Sequence, residues 1–294
     1  MDYRKIEMIF KNDNAHWVGN GFRVKQYFPA VHGADFFERF SPFLLMDYNE
    51  PFMFKGTNAE VGVGAHPHRG FETVTFAFEG EVEHGDNRGN CGVIRPGDIQ
   101  WMTAGSGILH KEFHEREYAK KDRMFHMIQL WVNLPKAHKM TEPKYQSIRA
   151  EQMGKYQSDD GGVNITVYAG EVLGVKGPAS TFSPMNIYKV DLKKGKSVTL
   201  TEPADFNSGM LILSGHIEVN AKDIVKDSDF VLFENDGKAI RLMGMDEESS
   251  IFVLSGQPLN EPVAAMGPFV MNTREELTQA NTDFKEGKFG SFDF

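Results

Sequence analysis

HPHRGFETVTFAFEGEVEH, residues 66–84, opens with two histidines one residue apart and runs into an alternation of apolar and polar side chains. From Phe71 to Phe78 that alternation has the period of two expected of a half-buried strand. Three later runs are equally rich in β-formers: FHMIQLWVNL (125–134), GMLILSG (209–215) and ESSIFVLSG (248–256). Clusters of Gly, Pro, Asn and Asp such as RPGD, TAGSG and VKDSD separate the runs at short intervals. Short strands punctuated in this way predict an antiparallel sandwich or barrel. Helix is expected only near the end, where NTREELTQANTDFKEG offers Asn272 or Thr273 as N-cap and Glu275 and Glu276 in the first turn.

Working outward, the stretch has an echo. FEGEVEH around Gly80 and LSGHIEV around Gly215 share one pattern at an offset of 135 residues, and RPGDIQWM and VKDSDFVLF align Asp98 with Asp229 at an offset of 131. The consistent spacing predicts two β-domains of one design. The Pro and charged residues of NLPKAHKMTEP, 133–143, suit an exposed connector between them.

Composition limits the function classes. The 294 residues are 40% hydrophobic and 25% charged, ordinary for a soluble globular protein with a core. A net charge of −9 argues against direct binding to nucleic acid or to an anionic membrane. The single cysteine, Cys91, rules out a disulfide within the chain and suits a reducing compartment. MDYRKIEMIFKNDN is interrupted by charge every few residues, unlike a secretory signal, and no run approaches a membrane span. A cytoplasmic protein is expected, with nuclear residence left open by the lack of any basic cluster.

Six of the ten histidines fall between positions 66 and 126. In a strand, side chains two residues apart project to one face, so His66 and His68 can converge. Pro67 between them suits an edge strand. GSGILHKEF supplies a second such pair, His110 and Glu112. Three imidazoles and a carboxylate around one centre suit a borderline divalent ion such as Fe, Mn, Cu, Ni or Zn. Strand parity also admits Glu72 as the carboxylate and His114 as a further contributor. An HxH pair alone favours structural or surface histidines; the later HxE after a glycine-rich turn shifts the reading to metal. The repeat acts as a control. The segments matching the ligands, Ser197–Pro203 and Arg241–Met245, contain no histidine, so one domain is expected to bind metal and the other not. His126 precedes Ile128, Leu130 and Val132, and is expected on their face, in the core or near the metal.

HPHRGFETVTF, GDIQWMTAGSGILHKE, QLWVNLPKAHKMTEPKYQ, PLNEPVAAMGPFVMNT and PFLLMDYNEP together resemble the signature segments of the pirin family, from about Gly19 to the C-terminal helix. The resemblance implies an all-β fold of two cupin (double-stranded β-helix, jelly-roll) barrels with a short C-terminal α-helix. Residues 1–135 would form the metal-binding cupin domain, and 136–294 a metal-free one with the helix. It implies one iron, most readily Fe(II), on His66, His68, His110 and Glu112. That choice favours Glu112 over Glu72, which would have a supporting or structural role.

Some relatives of this kind are quercetin 2,3-dioxygenases, so a flavonol and O2 are the implied substrates, with Glu112 as the catalytic proton acceptor. Others are iron-dependent regulators, which implies a protein partner such as a transcription factor or metabolic enzyme. For that role Arg69 and Lys111, each following a ligand, would join Arg88 and Arg95 in an exposed basic patch, although each reads first as ordinary surface charge.

Overall fold

The computed structural model describes residues 2–29, 33 and 35–292. As the alternating patterns predict, the chain is mostly strand, and it divides into two compact units. The histidine barrel comprises Asp13–Glu38, Pro42–Ala150 and Leu259–Phe294; the second barrel comprises Met1–Asn12, Arg39–Ser41 and Glu151–Pro258.

Each unit pairs a seven-stranded with a four-stranded antiparallel sheet. In the histidine barrel Phe71–Glu79, Ile99–Thr103 and Arg123–Asn133 lie in the larger sheet, and Gly62–His68, Val82–Asp86, Cys91–Ile94 and Ile108–His114 form the smaller. The second barrel matches them with Asn207–Ser214, Phe230–Phe233 and Glu248–Gly256, and with Ser197–Thr201, His216–Val219, Asp223–Lys226 and Ala239–Gly244. These are the two jelly-roll cupin barrels expected from the sequence.

The internal repeat holds at the level of single hydrogen bonds. Asp98 Oδ2 accepts from the Arg95 N–H at 3.1 Å, and Asp229 Oδ2 accepts from the Lys226 N–H at 2.9 Å. Beside them the Gly97 N–H donates to the Ala77 carbonyl at 2.8 Å, and the Ser228 N–H to the Ile212 carbonyl at 2.9 Å. An Asp that satisfies the N–H three residues upstream pins a tight turn, whatever the strands beyond it carry.

The terminal helix spans Arg274–Lys285. Thr273 Oγ1 accepts from the Glu276 N–H at 3.2 Å, and Glu276 Oε2 accepts from the Thr273 N–H at 3.1 Å, a reciprocal cap. Leu277 and Ala280 pack with Phe269, Met271 and Phe289. No helix among the described residues is long and apolar enough to cross a membrane.

The segment expected as an exposed connector is only partly exposed. Lys136, Ala137 and His138 reach solvent, but Lys139 is buried. Its ammonium donates to the Gly70 carbonyl (2.8 Å), Asn133 Oδ1 (2.7 Å) and the Val270 carbonyl (3.0 Å). Three oxygens saturate the three N–H bonds, so this lysine ties loops of the histidine barrel together. The next strand, Lys144–Ile148, adds to the same unit by pairing with Ile99–Thr103.

Candidate metal centre

Gly62–His68 is the edge strand of its sheet, where Pro67 forfeits no ladder bond. It pairs with Ile108–His114 so that His110 lies opposite His66, and Ile108 opposite His68. A register shift between His110 and Glu112 breaks the ladder there, the kind of bulge that re-aims side chains beside a site.

The turns flanking the ligands need glycine. Gly70 has φ +87°, and a Cβ there would lie 2.0 Å from the Val270 carbonyl oxygen. Gly107, at φ +132°, would drive a Cβ to 2.9 Å from the Phe289 ring. Arg69 locks the two turns together. Its Nε donates to the Ser106 carbonyl at 2.7 Å, its Nη1 to Asp283 Oδ2 at 2.7 Å, and its guanidinium lies 4.5 Å from the Phe289 ring centroid. At 5% exposure Arg69 is therefore no part of a basic surface patch, contrary to the sequence expectation. Period-two alternation turns it away from His68, but the terminal helix covers that side.

Among the described residues, His66, His68 and His110 bring one ligand atom each within 4.8 Å of one another. Ring centroids are 4.2 Å apart for His66–His110 and 4.9 Å for each of the other two pairs. His66 Nδ1 sits 2.8 Å from the Gly64 carbonyl, which accepts only from an N–H and so leaves the Nε2 lone pair free to ligate. His68 Nδ1 and both ring nitrogens of His110 are buried without a partner. Burial holds His68 and His110 well below the ordinary imidazole value, and the neighbouring histidines push the same way. Neutral, converging imidazoles that each keep a ring nitrogen open are what a divalent ion requires, so the residues fit a bound metal.

Glu112 lies outside that 4.8 Å group. It is buried, lines the same cavity as His66 and His68, and its Oε1 is 3.3 Å from the Thr75 hydroxyl. Burial raises its pKa to about 7, against the opposing pull of Thr75. Glu72 does not join the cavity; its Oε1 accepts from the Thr103 hydroxyl at 2.7 Å. His114 is fully employed elsewhere. Its Nδ1 accepts from Arg123 Nη2 at 2.8 Å, its Nε2 donates to the Gly21 carbonyl at 2.8 Å, and its ring stacks on Phe125 at 4.2 Å. His126 meets Tyr48 Oη at 3.1 Å and the Phe78 ring at 4.9 Å, and joins neither the trio nor the cavity lining. The cavity-facing residues of this strand are Met127, Gln129 and Trp131, whereas Ile128, Leu130 and Val132 are buried in the core on its other face.

The cavity has a volume of about 360 Å³. Besides the ligands, its walls include apolar Phe22, Val24, Met127 and Trp131 and polar Asp47, Asn49 and Gln129. The sequence reading assigned those polar residues no role. The available signal was polarity two residues apart inside an apolar strand, in LLMDYN and MIQLWV.

Comparison with known proteins fits this geometry. Residues 21–132 match the pirin family model, and residues 187–290 match the pirin C-terminal cupin domain. A crystal structure of a quercetin 2,3-dioxygenase from Acinetobacter baumannii is 44% identical with a TM-score of 0.93, over 98% of this chain and 99% of that one. A Pseudomonas aeruginosa protein whose name assigns it provisionally as a quercetin 2,3-dioxygenase is 41% identical, covering 97% of this chain and 98% of its own. Rat pirin is 39% identical over 92% of this chain and 89% of its own.

Proposed function

The chain belongs to the pirin family, and from that premise we propose that its histidine barrel is the active site of an Fe(II)-dependent quercetin 2,3-dioxygenase that cleaves flavonols with O2. The observation that carries this reading is the converging trio His66, His68 and His110, of which His68 and His110 are buried with unpartnered ring nitrogens, and of which His66 and His68 line the cavity. Their relatives in name and sequence include a quercetin 2,3-dioxygenase of nearly the same length.

In this reading the three imidazoles hold the ion, and Glu112, on the strand face of His110, completes the set. When bound, the ion supplies Lewis acidity toward a flavonol oxygen and the electron exchange that O2 requires. Phe22, Val24, Met127 and Trp131 receive the flat ring system and keep water from it. Glu112 takes the proton of the flavonol 3-hydroxyl at a carboxylate oxygen, and once protonated it can donate to the Thr75 hydroxyl oxygen 3.3 Å from its Oε1.

The test is aerobic incubation of protein with verified iron content, following loss of quercetin absorbance together with release of carbon monoxide. Turnover that disappears in His110→Ala supports the reading. No turnover with iron confirmed present overturns it.

A further inference from the structure

The cavity has polar lining residues that metal binding does not use. Asp47 and Asn49 stand two apart on the strand Phe43–Phe54, so both face the same way, opposite Gln129 and Met127 of Arg123–Asn133. They are 9% and 3% exposed and line the cavity. Asn49 Oδ1 has no hydrogen-bond partner. Asp47 Oδ1 accepts from Gln26 Nε2 at 3.0 Å, and Gln129 Oε1 accepts from the Thr75 hydroxyl at 2.6 Å.

A buried carbonyl left unpaired is destabilising, so its presence calls for a reason. The fold does not supply one. By strand register the second barrel places Tyr188 where this one has Asp47, Val190 for Asn49 and Val253 for Gln129, all within its apolar core.

We propose that Asp47 and Asn49 are specificity-determining residues that accept hydrogen bonds from phenolic hydroxyls of a flat aromatic ligand whose other end lies at the three histidines. A carboxylate beside an unpaired carbonyl oxygen repels anionic ligands and favours hydroxyl donors. Phe22, Val24 and Trp131, all on the larger sheet, give an apolar wall that suits an aromatic plane, and about 360 Å³ lies within the range of small-ligand pockets. The inference deepens the dioxygenase reading, and its flavonol arm rests on that reading.

The experiment measures binding to Fe(II)-loaded protein without O2, using two matched pairs. Quercetin and 3-hydroxyflavone share the hydroxyl and ketone that face the metal and differ in their remaining hydroxyls. 4-Ethylresorcinol and its dimethyl ether form a pair that does not chelate. Wild-type protein is expected to prefer the hydroxylated member of each pair by about tenfold, the worth of one good hydrogen bond. Asn49→Val, which installs the second barrel's residue, and Asp47→Leu are expected to remove most of that preference while iron content stays unchanged. Asp47→Asn, which keeps an oxygen acceptor, should retain part of it and serves if the leucine variant misfolds. The proposal is overturned if the preference survives in the variants, or if wild-type protein shows none in the resorcinol pair. Binding of the resorcinol pair as expected, with neither flavonol bound, would sustain this proposal and remove the flavonol reading.

Discussion

At matching registers the histidine barrel carries His66, His110, Glu112, Thr75 and Gln129, where the second barrel carries Leu200, Ile240, Leu242, Met210 and Val253. The second set belongs to one continuous apolar core. Its polar neighbour Glu202 is saturated by Asn186 Nδ2 at 2.7 Å and by the Tyr188 hydroxyl at 2.8 Å. In the first set, by contrast, imidazole nitrogens are buried without partners. The same strands and turns thus tolerate either filling. One barrel stabilises itself by burial, whereas the other leaves polar valences open for something it binds.

The largest expected break in this contrast is His110→Ala. It removes a member of the trio whose two ring nitrogens are both buried without a partner, so the bound metal of purified protein should fall to near none. Mass spectrometry of the metal content checks it, and retention of the metal would show that the trio is not the site. Next in size is Leu242→Glu, which puts a carboxylate into the core of the second barrel at the place of Glu112. It should cost about 3–5 kcal/mol in urea unfolding, because nothing there pairs with the charge.

A smaller effect separates the barrels by pH. Folding raises the pKa of Glu112 from 4.5 to about 7, so the folded metal-free chain holds this proton more tightly than the unfolded chain. The stability it contributes is complete below about pH 4.5 and is lost as pH rises through 7. Glu112→Gln cannot ionise, and should therefore gain on wild type by on the order of 2 kcal/mol between pH 5 and 8. Parallel unfolding curves at the two pH values would contradict this.

The smallest test concerns what the barrels share. Asp229→Ala removes one turn bond and should cost about 1 kcal/mol. Asp98→Ala should cost roughly twice that, since Asp98 also accepts from Arg149 Nη1 and the Ala150 N–H. Equal melting shifts would show that the added contacts contribute nothing.

The barrels were legible because their strands are half-buried and alternate, and because the Asp98 and Asp229 turns repeat at fixed spacing. The histidine trio was legible because i,i+2 spacing in a strand is itself a statement about geometry. Other features have no local signature. The strand Ile6–Phe10 pairs with Phe230–Phe233, a long-range choice that composition does not encode. Arg69 looks like surface charge in sequence because the Asp283 that neutralises it lies 214 residues away. His126 has the parity of the core residues Ile128, Leu130 and Val132, and sequence alone did not say that the other face, with Met127, Gln129 and Trp131, lines the cavity.

The Arg69–Asp283 tie also has a consequence for biosynthesis. A ribosome adding 5–20 residues per second delivers Asp283 about ten to forty seconds after Arg69. All three histidines therefore emerge well before the helix that locks their turns. A metal ion reaching the trio before Asp283 arrives would meet side chains still free to adjust, and the clamp closes behind it once the helix is in place.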